Sequence, residues 1–143
     1  DNLNPNFPND DGVQLWLTFE LPPGLPAPGR AVLSSEALVV RGSPFDELGP
    51  LQVVPVVFDS FGPPLFDLDP VGPGSDCRRR GQTGLDCEVT GAVADAVANG
   101  RSSAQFRLRF ETATDGDGDQ DLALFFITDS NRNEPGIFTL SIE

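Results

Sequence analysis

The chain has 143 residues and a formal net charge of −13, and its nine basic residues are all arginine. Such an acidic protein repels nucleic acid and anionic membranes, because both are bound through clusters of basic side chains. Histidine is absent, which excludes nucleophiles activated by histidine and metal sites ligated by it. No apolar run approaches the roughly 20 residues of a membrane-spanning helix. We therefore expect no enzyme, no nucleic-acid partner and no membrane insertion.

The chain begins with a polar tail and a strand. Residues 1–12 (DNLNPNFPNDDG) lack periodicity, and Leu3 and Phe7 are their apolar side chains. From Val13 to Glu20 apolar residues alternate with others, which is typical of a strand with one face on a core. Trp16 lies on the other face of that strand. It either packs against a neighbouring segment or offers a ring on which a sugar could stack.

Two further strands are predicted before a long loop. They are Ala31–Arg41 (AVLSSEALVVR) and Leu51–Phe58 (LQVVPVVF). Pro55 has no N–H to donate, which places the second of these strands at a sheet edge or marks a bulge. The segment from Asp59 to Asp86 is predicted to be a loop, because proline, glycine and charged residues dominate it.

Cys77 and Cys87 lie at the end of this region and are the two cysteines of the chain. They enclose a short segment rich in glycine and charge, which favours a disulfide that stabilises the fold by about 3 kcal/mol on the chain-entropy estimate. A disulfide indicates export, and a chain that starts in a polar segment without Met fits a mature secreted product. The alternative is a cytosolic protein with two free thiols. We expect a secreted protein, extracellular or on the cell surface.

A short helix leads directly into a strand. Apolar residues recur at three- and four-residue steps, which predicts a helix with one buried face at about residues 90–99. Across Phe106–Phe110 the period changes to two. The three apolar residues of this strand should therefore face inward, and Arg107 and Arg109 should face outward or pair with carboxylates.

The remaining elements complete an all-β fold. Leu122–Thr128 is apolar on both faces and is predicted to be a central strand, and Ile137–Ile142 is the last strand. Strands and Pro- or Gly-containing turns recur along the whole chain, which is typical of a sandwich. We expect residues 13–143 to form a single jelly-roll-like antiparallel β-sandwich with one short helix.

Aspartates alternate with other residues in the turn DGDGDQD. They are Asp115, Asp117, Asp119 and Asp121. Their oxygens could converge on one hard cation such as Ca²⁺, although the EF-hand pattern fails because Gln120 replaces its glycine and Phe126 its bidentate glutamate. The alternative is a solvated acidic hairpin tip. We favour the cation, because like charges so close together oppose the ordering of a loop.

Five segments of the chain occur in an order that is also found in a known protein family. They are LWLTFELPPGLPAPG (Leu15–Gly29), SSEALVV (Ser34–Val40), CEVTGAVADAVANG (Cys87–Gly100), AQFRLRF (Ala104–Phe110) and NEPGIFTLSI (Asn133–Ile142). Together, over residues 13–142, they resemble the DNRLRE-type domains of a bacterial carbohydrate-binding module family. The resemblance implies that family's architecture and, as a function, sugar binding. The chain departs from the family in lacking a helical Trp, a strand region before the first segment, and the usual surface aromatic residues.

The missing first strand region suggests a function of its own. A sandwich without it exposes an unpaired strand edge, which is a template for another chain. Residues 1–12 of a neighbouring copy could add a strand there, with Leu3 and Phe7 as anchors. We therefore expect a non-catalytic extracellular structural or adhesive subunit that assembles with other copies of itself into fibres. The alternative is a calcium-stabilised carbohydrate-binding module with an extracellular polysaccharide as its partner.

Overall fold

The computed structural model describes residues 12–125 and 137–143. The strands in these residues are Leu15–Glu20 (β1), Ala31–Ser35 (β2), Leu38–Arg41 (β3), Leu51–Val56 (β4), Ser75–Arg80 (β5), Gly84–Glu88 (β6), Ser103–Phe110 (β7), Leu122–Phe125 (β8) and Thr139–Ile142 (β9). The helices are Pro44–Glu47 (α1) and Thr90–Ala98 (α2), and Pro63–Asp67 forms a short 3-10 helix.

The strands form one long antiparallel sheet and a small second one. The order in the long sheet is β1-β7-β4-β5-β6-β2-β9, and β3 pairs with β8. β5 connects the two halves of the long sheet, because Ser75 and Asp76 pair with β4 and the rest of the strand pairs with β6. Side chains from both halves, such as Phe106 on β7 and Leu33 on β2, belong to one buried cluster. The predicted all-β, sandwich-like fold with a short helix is confirmed.

α2 covers part of this core with the face that its periodicity predicts. Val93 and Ala96 are buried on the helix. The first residue of the helix, Thr90, also connects it to β2, since the Thr90 hydroxyl accepts a hydrogen bond of 2.6 Å from the Ala31 N–H. Apolar packing and hydrogen bonds between the Thr90 hydroxyl and the Ala31 backbone therefore fix α2 against the sheet.

The disulfide lies between two neighbouring strands. Cys77 on β5 and Cys87 on β6 are directly opposite each other, with their Cα atoms 4.2 Å apart, and their sulfurs are bonded. The predicted disulfide is confirmed, but the predicted loop from Asp59 to Asp86 is wrong, because this segment contains β5 and most of β6. Arg80 at the end of β5 pairs with Glu36 and Asp86. The outer face of the β5–β6 hairpin is charged and solvated, so the composition of this segment is similar to that of a loop.

The predicted strand Ala31–Arg41 is two strands, not one. The chain turns after Ser35, whose hydroxyl accepts a 3.1 Å hydrogen bond from the Ala37 N–H. β2 stays in the long sheet, while β3 leaves it and pairs with β8. The predicted central position of Leu122–Thr128 is therefore wrong: within the described part of the chain β8 pairs with β3 alone, and residues 126–128 lie outside that part.

Pro55 lies where β4 has a sheet neighbour on one side only. β5 pairs with β4 at Gln52 and Val53 and no further along the strand. The Pro55 carbonyl faces away from β7 and accepts a 2.9 Å hydrogen bond from the Val71 N–H. The missing proline N–H faces the same way, since both groups of a strand residue point to one side, so no ladder bond is lost.

β7 is a strand with both faces covered. It lies between β1 and β4, and Phe106 and Leu108 are buried in the core as its alternation predicts. The expectation that Arg107 lies outside is wrong, because its side chain is only 2% exposed. Trp16 from β1 and the chain at Phe66 cover it. The predicted register is correct, and the second face of the strand is buried as well.

Candidate metal centre

The acidic turn forms a loop between β7 and β8 that is held by its own side chains. Asp115 Oδ1 accepts a 3.3 Å hydrogen bond from the Asp117 N–H, and Asp117 Oδ1 accepts one of 2.7 Å from the Asp119 N–H. These are Asx turns, in which an aspartate side chain bonds the backbone two residues ahead. Gly116 and Gly118 have positive φ angles of 72° and 85°, which other residues adopt only with strain. The alternation of Asp and Gly thus coils the loop tightly.

The loop brings three of its aspartates to a fourth carboxylate from a distant part of the chain. One carboxylate oxygen from each of Glu47, Asp115, Asp117 and Asp121 lies within 4.8 Å of the others. We call this group the acidic cluster. Three of the four predicted ligands are brought together, but Asp119 is not among them. Glu47, the last residue of α1, takes the fourth place.

Asp121 is the buried member of the acidic cluster. Its side chain is 1% exposed, whereas Glu47, Asp115 and Asp117 are exposed. Asp121 Oδ1 accepts a 2.6 Å hydrogen bond from the Ser43 N–H. This bond joins the residue before β8 to the residue before α1, and it places Glu47 beside the loop.

Gly42 makes that approach possible. Its φ is +68°, and a Cβ at this position would overlap the Gln120 carbonyl oxygen and Asp121 Oδ1. The turn from β3 to α1 therefore touches the loop through a residue without a side chain. Any substitution of Gly42 would both strain the backbone and push the two segments apart.

The four carboxylates repel one another electrostatically. A side-chain hydrogen bond with Asp121 and the charge of that residue raise the pKa of Glu47 above its ordinary value, and the charges of Asp117 and Asp115 add to the effect. A raised carboxyl pKa means that the fold favours the neutral form. The acidic cluster thus gains stability from whatever neutralises it, either a proton or a cation.

All four donor groups of the acidic cluster are carboxylates. Carboxylate oxygens are the ligands of hard cations such as Ca²⁺ and Mg²⁺, whereas zinc sites are built mostly from cysteine and histidine. The histidines are absent from the sequence and both cysteines are in the disulfide. The acidic cluster could therefore hold a metal ion of the hard class.

The other candidate residues lie elsewhere. Trp16 is half-buried, with its ring 5.6 Å from the Phe58 ring and 5.4 Å from the Arg107 guanidinium carbon. Both contacts support the packing interpretation of Trp16. Leu3 and Phe7, the predicted assembly anchors, lie outside the described residues.

Sequence reasoning missed Glu47, because no local pattern connects α1 to the acidic turn. The side chain follows a Pro-Phe-Asp stretch in which nothing distinguishes it from the other acidic residues of the chain. Its place in the acidic cluster depends on the pairing of β3 with β8, which is a tertiary contact. Gly42 gives a partial signal, because an isolated glycine after a strand indicates a turn or a close approach of backbones.

Comparison with models of known protein families, with curated proteins and with solved structures finds no match to this chain. The resemblance to DNRLRE-type domains stays a prediction. No helix in the described part of the chain is both long and apolar enough to cross a membrane.

We predict that Glu47→Gln stabilises the protein in a calcium-free buffer with a chelator at neutral pH. The substitution removes one negative charge from the acidic cluster. Because the pKa of Glu47 is raised in the folded state, its favourable contribution is complete below the ordinary value of 4.5 and is lost as the pH rises through the raised value. The gain in melting temperature over the parent should therefore grow from about pH 4.5 to pH 7.

Thermal unfolding of both proteins across this pH range measures the effect. Glu20→Gln is the matched control, because Glu20 is exposed on β1 and pairs with Ser103, at the end of β7 opposite the acidic loop. An equal gain from Glu20→Gln, or a gain that does not change with pH, would show that the four carboxylates do not interact as described.

Proposed function

We propose that this chain is a secreted, non-catalytic structural or adhesive subunit whose acidic cluster binds Ca²⁺. The observation that carries the proposal is the convergence of four carboxylates from two distant segments around the buried Asp121. Neutralisation of these like charges favours the folded state, and at neutral pH a bound cation would provide it. A bound cation would fix the loop of residues 112–121 against the turn that follows β3.

Calcium fits this arrangement better than magnesium. Ca²⁺ accepts six to eight oxygen ligands in flexible geometry, whereas Mg²⁺ demands a near-ideal octahedron and keeps several waters. Glu47, Asp115 and Asp117 are exposed, so carboxylates can bind in one- or two-oxygen modes and water can complete the shell. Extracellular calcium modules typically have dissociation constants of about 0.1–1 mM, which suits a site of this openness.

Secretion and a structural role are supported by different features. The disulfide between Cys77 and Cys87 is typical of proteins that fold in an oxidising compartment. The acidic cluster brings α1 next to the loop of residues 112–121. An ion bound between these two segments would hold them together, which is a structural role.

Assembly through strand addition is supported by the position of β1. In the described part of the chain, β1 pairs with β7 on one side only, and it ends the order of the long sheet. An edge strand offers unpaired backbone groups to an extended segment of another copy. We propose residues 1–12 as that segment, with Leu3 and Phe7 as its apolar anchors.

A carbohydrate-binding module is the second candidate, but Trp16 gives it little support. A sugar platform needs an open aromatic face. The Trp16 ring packs at a right angle to the Phe58 ring, and the Arg107 guanidinium lies over it, so it is engaged within the fold. Polysaccharide binding therefore has less support than the structural role.

Calcium should raise the melting temperature of the chelator-treated protein. An ion that binds only the folded state stabilises it by mass action, and at a hundred times the dissociation constant the gain is about 2.7 kcal/mol. For a chain of this size the shift is on the order of 5–10 °C. Glu47→Gln and Asp117→Asn should lose most of the shift.

Asp119→Asn is the matched control for this experiment. It removes the same charge from the same loop but from a residue outside the acidic cluster, so the calcium shift should remain. The Asp117→Asn side chain can still accept the hydrogen bond from the Asp119 N–H, which preserves the turn. The proposal fails if the parent shows no shift at 10 mM Ca²⁺, which is about a hundred times a 0.1 mM dissociation constant, or if Asp119→Asn abolishes the shift as fully as Glu47→Gln.

Deleting residues 1–11 should abolish higher-order species and leave the fold intact. Assembly of the parent should also strengthen with salt, which screens repulsion between copies of charge −13. Light scattering and electron microscopy of parent and truncated proteins at equal concentration measure both effects. Equal assembly of the two, or a parent that stays monomeric at high concentration with calcium, would contradict strand addition.

A further inference from the structure

Asparagine precedes glycine at one place in the chain, and this pair lies at the exposed end of α2. Asn99 is the one asparagine that glycine follows. Both Asn99 and Gly100 are exposed, directly after the last residue of the helix. A Cβ added to Gly100 would meet nothing within 4 Å. No side chain therefore crowds the peptide bond between the two residues from that direction.

An asparagine before glycine can lose its side-chain amide without an enzyme, because the following backbone nitrogen is unhindered. The Gly100 nitrogen would attack Cγ of Asn99, so that an N–Cγ bond forms and the Cγ–Nδ2 bond breaks. Nδ2 takes the proton of the attacking nitrogen and leaves as ammonia, and a cyclic imide remains. Water then opens the imide at either carbonyl and gives aspartate or isoaspartate. The reaction consumes one water and releases one ammonia.

The C-terminus of α2 holds the attacking nitrogen in a hydrogen bond. The Gly100 N–H donates a bond of 2.9 Å to the Val97 carbonyl oxygen, and the Arg101 N–H donates one of 3.0 Å to the Ala96 carbonyl oxygen. With Gly100 at a φ of +65°, these bonds form a Schellman motif, in which glycine ends the helix. The intact motif therefore restrains the nitrogen that has to attack.

The Asn99 side chain is held by the same helix end. Its Nδ2 donates a hydrogen bond of 2.7 Å to the Asp95 carbonyl oxygen, one turn back along the helix. Ring closure must release this bond as well as the bond of the Gly100 N–H. Helix ends open with a much smaller free energy than the protein as a whole. The reaction should therefore start from the frayed helix end, with the rest of the fold intact.

We propose that Asn99 is a site of spontaneous deamidation whose rate is set by fraying of the α2 C-terminus. Either product weakens this helix end. A carboxylate at position 99 lies at the negative end of the helix dipole and cannot donate to the Asp95 carbonyl oxygen. Isoaspartate adds a methylene to the backbone inside the Schellman motif. The site is independent of the acidic cluster and of assembly.

Peptide mapping by mass spectrometry after incubation at mildly alkaline pH tests the proposal. Trypsin cleaves after Arg80 and Arg101, so the reduced peptide of residues 81–101 carries Asn99 as its one asparagine. Replacement of the amide by a carboxyl group raises the mass of this peptide, and the aspartate and isoaspartate forms separate by chromatography. A sample digested before incubation corrects for conversion during digestion.

The extent of protection distinguishes local fraying from global unfolding. The native parent should convert about ten to a hundred times more slowly than the parent in denaturing urea, because fraying costs little free energy. If conversion required global unfolding, it would be slowed by roughly a thousandfold or more. Both aspartate and isoaspartate should form, since the imide opens at either carbonyl.

Variants with matched loss of an exposed methyl group test the role of the helix end. Ala98→Gly loosens the last turn of α2 and should speed the native reaction by about two- to fivefold, according to the lower helix propensity of glycine. Ala113→Gly is the control, because Ala113 is exposed beyond the other end of β7, and it should leave the rate unchanged. Asn99→Asp, which is identical to one product, should lower the melting temperature.

Several results would overturn the proposal. Deamidation is refuted if peptide 81–101 gains no mass in the unfolded parent, and the imide route is refuted if aspartate forms without isoaspartate. Control by local fraying is refuted if the native and unfolded parents convert equally fast, if the native protein is protected a thousandfold or more, or if Ala98→Gly and Ala113→Gly have equal rates. An unchanged melting temperature of Asn99→Asp would refute the weakening of the helix end.

Discussion

The hydrogen bond from the Ser43 N–H to the buried carboxylate of Asp121 is the contact on which the proposed metal centre depends. It connects the start of β8 to the turn between β3 and α1, two segments that are far apart in sequence. Together with the pairing of β3 with β8, this contact places α1 beside the acidic loop, where Glu47 reaches it. Gly42 sets the distance, since any Cβ there would overlap Asp121. Without this junction, the loop of residues 112–121 would be an acidic hairpin tip and nothing more.

The two faces of β7 carry side chains of different polarity. The inner face carries Phe106 and Leu108 into the core, and the outer face carries Arg107 under Trp16. Desolvation and the neighbouring charge of Arg109 lower the pKa of Arg107, although Asp67 and Asp69 act in the opposite direction. A central strand with a charged buried face has a cost in stability.

Local periodicity predicted much of the fold from the sequence. The alternation in β1 and β7, the helical spacing in α2 and the short separation of Cys77 and Cys87 each report a structure formed within about ten residues. Local periodicity failed to predict the features that depend on contacts between residues far apart in the sequence. β5 is charged on its outer face and resembles a loop, and the turn at Ser35 splits one apolar run into β2 and β3. Arg107 follows the predicted alternation, but its burial depends on a segment near Phe66 that no periodicity connects to it.

In the candidate site, too, the local contacts could be predicted and the long-range contacts could not. The spacing of the aspartates predicted that Asp115, Asp117 and Asp121 converge, because Asx turns and glycines coil the loop locally. The exclusion of Asp119 and the inclusion of Glu47 could not be predicted, since both depend on how α1 docks against the loop. A metal centre built from one loop and one distant side chain is therefore only partly visible in a sequence.

Anomalous X-ray diffraction from crystals grown with Ca²⁺ tests the proposed centre most directly. We predict one anomalous peak at roughly 2.3–2.6 Å from carboxylate oxygens of Glu47, Asp115, Asp117 and Asp121, with the Ser43 N–H still bonded to Asp121. An ion ligated by Asp119 in place of Glu47, or an acidic cluster without a peak at saturating calcium, would contradict the account.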